Sequence, residues 1–187
     1  MALADKHTGL QTSAGAVSCA PIHAGRRLKN IFEVECYRNG ELIWSDRFEN
    51  LVVNAGLDDS LDKHLKGSGY TAAFYVGLTD GTPTVAAGDT MASHAGWAEV
   101  TAYDEAVRQT LTLAAVSGQS TDNSANKAVF TIDTNSTTVG GAFVVTDSTK
   151  GGAGGTLYGA GAFSAGDKTL DDDDVLNVTV TLTASAS

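Results

Sequence analysis

The chain has 187 residues, is 42% hydrophobic and 18% charged, and sets 12 Lys+Arg against 22 Asp+Glu for a formal charge of −10. That length suits one domain, or one domain with an arm, and the composition excludes collagen-like, coiled-coil and disulfide-scaffold classes. No apolar run reaches the roughly 18 residues of a membrane-crossing helix, no basic-then-apolar leader opens the sequence, and no concentrated basic face suits a nucleic-acid partner.

The charge is unevenly placed. Residues 1–30 hold Lys6, Arg26, Arg27 and Lys29 against Asp5, a balance of +3, whereas residues 31–187 hold eight basic and 21 acidic residues, a balance of −13. The first 30 residues are rich in Ala, Gly, Ser and Thr, with no sustained period of 2 or 3.6, and are expected to form an extended N-terminal arm that a second surface orders. Arg26, Arg27 and Lys29 are its candidate partner-binding residues, because guanidinium groups form bidentate pairs with carboxylates. Cys19 and Cys36 could pair, but free thiols are the favoured expectation, since two cysteines without a secretory leader suit a reducing compartment.

From Ile31 the pattern changes. Phe32, Val34 and Cys36 alternate with Glu33, Glu35 and Tyr37, and Asn39-Gly40 separates this run from Glu41-Leu42-Ile43-Trp44-Ser45-Asp46. Asn-Gly between two such runs predicts a hairpin with a type I′ turn, because both residues tolerate positive φ. Leu57, Leu61 and Leu65 then recur at i, i+4 and i+8, which predicts one helix near residues 55–66. Asn54 is its candidate N-cap, Asp58 and Asp59 lie early in it, and His64 and Lys66 lie late. Beyond it, residues 70–78, 108–114, 127–133, 141–147, 156–163 and 175–183 read as strands separated by Gly/Ser/Asn/Asp clusters, and a long loop runs from Thr79 to about Gly96. In the last run Leu176, Val178, Val180 and Leu182 oppose Asn177, Thr179 and Thr181, giving one apolar and one polar face. The fold class is therefore mostly β: an antiparallel sandwich or jelly-roll-like body over 31–187, with one short helix and an arm over 1–30.

Few constellations carry chemistry. His7, His23, His64 and His94 show no metal-ligand spacing, and no CxxC or Cys/His cluster exists, so neither a metal nor another cofactor is expected. Asp171–Asp174 lacks the alternating order of a calcium loop and reads as a solvated turn before the last strand. The glycines of 151–155 precede a strand rather than a helix and lack the Lys-Ser/Thr of a phosphate loop, so a mobile hairpin loop is expected. No nucleophile elbow is present, histidine is scarce in the body, and no catalytic residue is assigned. Trp44 and Trp97 read as core or interface anchors, with a two-tryptophan sugar site as the less favoured reading.

One longer pattern remains. It comprises Glu49-Asn50-Leu51-Val52-Val53-Asn54-Ala55-Gly56-Leu57, Tyr75-Val76-Gly77-Leu78, residues 89–100 (DTMASHAGWAEV), Tyr103 and Arg108. This pattern resembles small virion proteins of tailed bacteriophages, in particular capsid decoration (cement) proteins. The resemblance implies a non-enzymatic homo-oligomer, trimer or dimer, made in the host cytoplasm. It would bind the outer capsid surface and clamp major capsid proteins. A tail, neck or head-fibre component is the alternative within the same class. A carbohydrate-binding module or glycan hydrolase on the virion surface is the alternative from another class.

Overall fold

The structure, a computed structural model, describes residues 26–70 and 72–186. The predicted hairpin forms from β1 (Arg26–Arg38) and β2 (Glu41–Glu49), with Asn39 at φ 51 and Gly40 at φ 80, as a type I′ turn requires. β1 begins five residues ahead of the expected body boundary. Arg26, Arg27 and Lys29 are therefore strand residues, paired with Ala186, Ser185 and Thr183 of the final strand. Local sequence does not announce this extension, since the run is polar; a partner strand distant in sequence imposes it.

The remaining elements are β3 (Leu51–Val52), α1 (Asn54–Ser60) continued by one π-helical turn (Leu61–Leu65), β4 (Tyr75–Asp80), β5 (Ala98–Glu99), β6 (Gln109–Thr110), β7 (Ser120–Asp122), β8 (Ala128–Thr131), β9 (Thr137–Val139), β10 (Gly141–Val145), β11 (Leu157–Ala162), β12 (Lys168–Leu170) and β13 (Val175–Ala186). One antiparallel sheet runs β2-β1-β13, with β8 and β7 sharing the far side of β13. The second runs β3-β11-β10-β4, with β5 and β6 along β4, and β9 and β12 form a small ribbon. Among the described residues, every strand pairing is antiparallel. The fold is mostly β, as expected.

The two sheets face each other across a core of Phe32, Val34, Cys36 and Phe48 from β1 and β2, Leu176, Val178 and Val180 from β13, and Val76, Leu78, Ala142 and Val144 from the second sheet. Inward residues alternate along β1 and β13 as the sequence predicts for a sheet with one wet face. The second sheet is buried on both faces. Its outer side packs Phe143, Val145, Leu157 and Ala160 against Val53, Met91 and Trp97, so the 79–96 loop folds back as a cover. That is why β10 is buried at every position and reads as a continuous apolar run.

Two expectations about the helix change. Val53, not Asn54, occupies the N-cap position, and no side chain caps the helix. The leucine stripe faces outward: Leu57, Leu61 and Leu65 are 37%, 55% and 73% exposed. The helix packs instead through Gly56, whose added Cβ would lie 2.7 Å from the Tyr158 Cα of β11. Only a glycine permits that approach to backbone, and the small-residue face therefore turns inward.

Candidate interaction surface

The outward stripe of Leu57, Leu61 and Leu65 lies on a helix held firmly from behind. Tyr158 Oη donates to the Asp59 carboxylate, Ser60 Oγ donates to the Gly56 carbonyl at 2.9 Å, and Lys66 Nζ donates to Asp62 at 2.8 Å. Burial, together with Asp59, pushes the Tyr158 phenol well above its ordinary range. The result is a ridge, tied to β11 through Tyr158, bearing apolar side chains with no covering element among the described residues. Such exposure of large aliphatic groups is a feature of association surfaces.

Beside the ridge, a groove of about 540 Å³ opens between the sheets. Its cause is geometric. The β1–β13 ladder overshoots the second sheet, so the inward-facing Leu28, Asn30, Leu182 and Ala184 meet Phe74, Val144 and Tyr158 across an unfilled gap. His64 and Ser60 of the helical segment form one lip, and Val116, 73% exposed, stands on the other.

Of the basic residues assigned to partner binding, Arg27 is exposed and Lys29 pairs with Glu49; Arg26 is described by its backbone alone. They sit on a strand, near the groove, rather than in a free arm. Residues 1–25 lie outside the described residues, and with them Lys6, His7, Cys19 and His23. Cys36 is a buried free thiol whose pKa burial pushes up to about 12.

The aspartate run is a turn, but one of its members is not solvated. Asp174 is 1% exposed and takes the Arg38 guanidinium in a two-pronged pair, Nε to Oδ1 at 2.7 Å and Nη2 to Oδ2 at 2.6 Å. Hydrogen bonding from Arg38 holds its carboxyl below the usual range, and Oδ2 also accepts the Asp171 N–H at 2.9 Å. The run thus ties the end of β1 to the start of β13. Among the described residues, no group of three or more His, Cys, Asp or Glu side chains is placed to hold a metal ion. Also among the described residues, no helix is long and apolar enough to cross a membrane.

The glycine-rich 151–155 loop is pinned rather than loose. Gly151 N–H donates to Glu99 at 3.0 Å and the Gly152 carbonyl accepts from Arg108 at 2.5 Å. Arg108 is the largest fully buried side chain and pairs with Glu99, itself 7% exposed. The sequence does not announce this centre, although Glu99 and Arg108 both belong to the pattern that carries the resemblance. The two tryptophans belong to different packing clusters: Trp44 lies against Phe163, while Trp97 packs on Phe143 with His94 stacked on it at 3.8 Å. They form no shared platform. On the outer face of the first sheet, a polar cleft holds Glu33, Glu35, Asp46 and Arg47, but Glu33 pairs with Arg47 and Glu35 with Lys127.

Comparison with protein-family models, with curated proteins and with solved structures finds no match for this chain. Much of the pattern that carries the phage resemblance is structural here: Met91, Trp97, Val100, Tyr103 and Arg108 are all buried.

Proposed function

We propose that the chain is a structural virion protein of a tailed-phage-like particle. In this reading it sits as a homo-oligomer on the outer capsid surface, clamps neighbouring major capsid proteins, and performs no chemistry. The jelly-roll likeness and the passage from host cytoplasm to virion belong to the same reading. The observation that carries it is the outward leucine ridge, which suits attachment rather than catalysis. Burying the exposed remainder of three leucines would contribute about 3 kcal/mol per subunit, and an oligomer on a repeating shell multiplies that by avidity. Arg27 at the sheet edge supplies a guanidinium for carboxylates on the partner. The acidic body keeps the outer face soluble and apart from nucleic acid.

The test is attachment to capsids lacking this protein. Wild-type chain is expected to bind in stoichiometry with the shell, on the order of hundreds of copies per particle. Leu61→Glu should weaken attachment severalfold while leaving the melting temperature unchanged, because Leu61 is half exposed. A handful of copies at one vertex would place the protein in the tail or neck instead. Failure of wild-type chain to bind, or glycan binding on an array, would overturn the reading.

A further inference from the structure

A polar centre lies where the 99–108 segment meets the glycine-rich loop, and its own side chains leave it incomplete. Tyr103 is fixed there from several sides. Its N–H donates to the Thr101 carbonyl at 3.0 Å, it bridges to Ile132, and its carbonyl accepts from Lys150 Nζ at 2.7 Å. Its ring, 0% exposed, meets Phe130 edge to face at 5.1 Å and carries the Lys150 ammonium 4.3 Å from its centroid. The hydroxyl at the end of that ring is buried and has no hydrogen-bond partner among the described residues. A buried phenol ordinarily finds one, because leaving it unpaired costs as much as losing a hydrogen bond.

Arg108 brings a second unmet group. A guanidinium carries five N–H donors. Four are used: Nε and one on Nη2 by Glu99, the other on Nη2 by the Gly152 carbonyl, and one on Nη1 by the Asp147 carbonyl. For the second N–H on Nη1, Asp147 Oδ1 stands 3.8 Å from the nitrogen, beyond hydrogen-bond reach. The side chain is 0% exposed, so bulk solvent does not serve it. The phenol and the ion pair share one neighbourhood: burial raises the Tyr103 pKa, Glu99 raises it further, and Arg108 acts against both. A metal cation there would be repelled by Arg108 and Lys150, and an anion by Glu99, Asp147 and Glu105. What suits both groups is a small neutral molecule that accepts from a guanidinium N–H and pairs with a hydroxyl in either sense.

We propose that one internal water molecule joins Tyr103 Oη to the second N–H of Arg108 Nη1, as a resident ligand of the fold. It gives the guanidinium its fifth partner and the phenol its first. It also links the Tyr103 segment to the 151–155 loop through Arg108, which already holds the Gly152 carbonyl. Buried waters of this kind make two to four hydrogen bonds and are costly to remove. The inference concerns the interior of a single chain, so it stands independently of the capsid reading.

The test uses the full chain. A high-resolution crystal structure is expected to show one ordered water oxygen within hydrogen-bond distance of both Tyr103 Oη and Arg108 Nη1. A protein atom in that place, or no density there, would overturn the proposal. Tyr103→Phe keeps the ring and removes only the hydroxyl. It should lower the melting temperature by roughly 2–6 °C, the loss of one buried hydrogen bond in a chain of this size. An unchanged or raised melting temperature would mean that the hydroxyl had no partner, and would overturn the proposal as well. Because one water serves both groups, Tyr103→Phe should shift the melting temperature less in an Arg108→Met background than in the wild type. Equal shifts in the two backgrounds would sever the link between the residues and refute the shared water.

Discussion

Replacing Arg108 with methionine tests the most consequential polar centre of the fold. The guanidinium donates from Nε and Nη2 to Glu99 at 2.9 and 2.8 Å, and to the carbonyls of Asp147 and Gly152 at 2.9 and 2.5 Å. Methionine keeps most of the volume and a contact with the Phe143 ring, over which the guanidinium lies at 5.4 Å. It leaves Glu99, 7% exposed, with its charge uncompensated apart from the Gly151 N–H at 3.0 Å. Breaking a buried pair from one side costs about 3–5 kcal/mol. At about 2–4 °C per kcal/mol for a chain of this size, the melting temperature should fall by roughly 6–20 °C. Thermal melts at neutral pH, checked by urea midpoints, measure this directly. Adding Glu99→Gln should recover part of the loss, because the stranded charge is removed. A cost for Arg108→Met below about 1 kcal/mol, the value of an exposed pair, would refute the reasoning. So would a double variant that simply sums the two single losses.

Three further outcomes follow from the same geometry. Asp174→Asn should destabilise by about 1–2 kcal/mol at neutral pH, discounted because Arg38 is 42% exposed. Since the Asp174 carboxyl is held below its ordinary range, its contribution is present above the unfolded value and lost as pH falls through the folded one. The gap between wild type and variant should therefore close below about pH 4, and a gap unchanged near pH 2 would contradict the pairing. Gly56→Val should cost about 1–3 kcal/mol, because its Cβ would meet the Tyr158 Cα at 2.7 Å; a wild-type melt would mean the helix is not seated there. Chelator treatment should leave the melting temperature unchanged, since Arg38 already holds the Asp174 carboxylate, and a drop would reveal a bound cation.

What the sequence made legible is what depends on neighbours in the chain. The Asn39-Gly40 turn, the alternation of β1 and the two-faced pattern of β13 were readable because local periodicity and turn chemistry dictate them. The outward helix was not. Leucines at every fourth position ordinarily mark the buried face, but here the approach of Gly56 to the β11 backbone decides the rotation. The short strands β5, β6, β7, β9 and β12 span two or three residues each, too few for a period to register. Asp174 read as solvated because charge normally is, and Arg108 carried no sign of a buried pair; their partners Arg38 and Glu99 are supplied by the fold. The β1 extension over residues 26–30 depends wholly on β13.

That last pairing also governs the order in which the molecule can be made. Thr183 Oγ1 donates to the Lys29 carbonyl across 154 residues of sequence, and twelve successive rungs join the same two strands. During synthesis β1 emerges ahead of β2 to β12, yet its long-range partner follows all of them. Until then the β1–β2 hairpin exposes Phe32, Val34 and Phe48 without their facing layer. Pairing at such separation carries a large closure entropy and folds slowly, so the half-made chain is the aggregation-sensitive species. Pulse-labelled hydrogen exchange should find the β1 and β13 amides protected together in the final phase of refolding. Earlier protection of β13 alone would break that order.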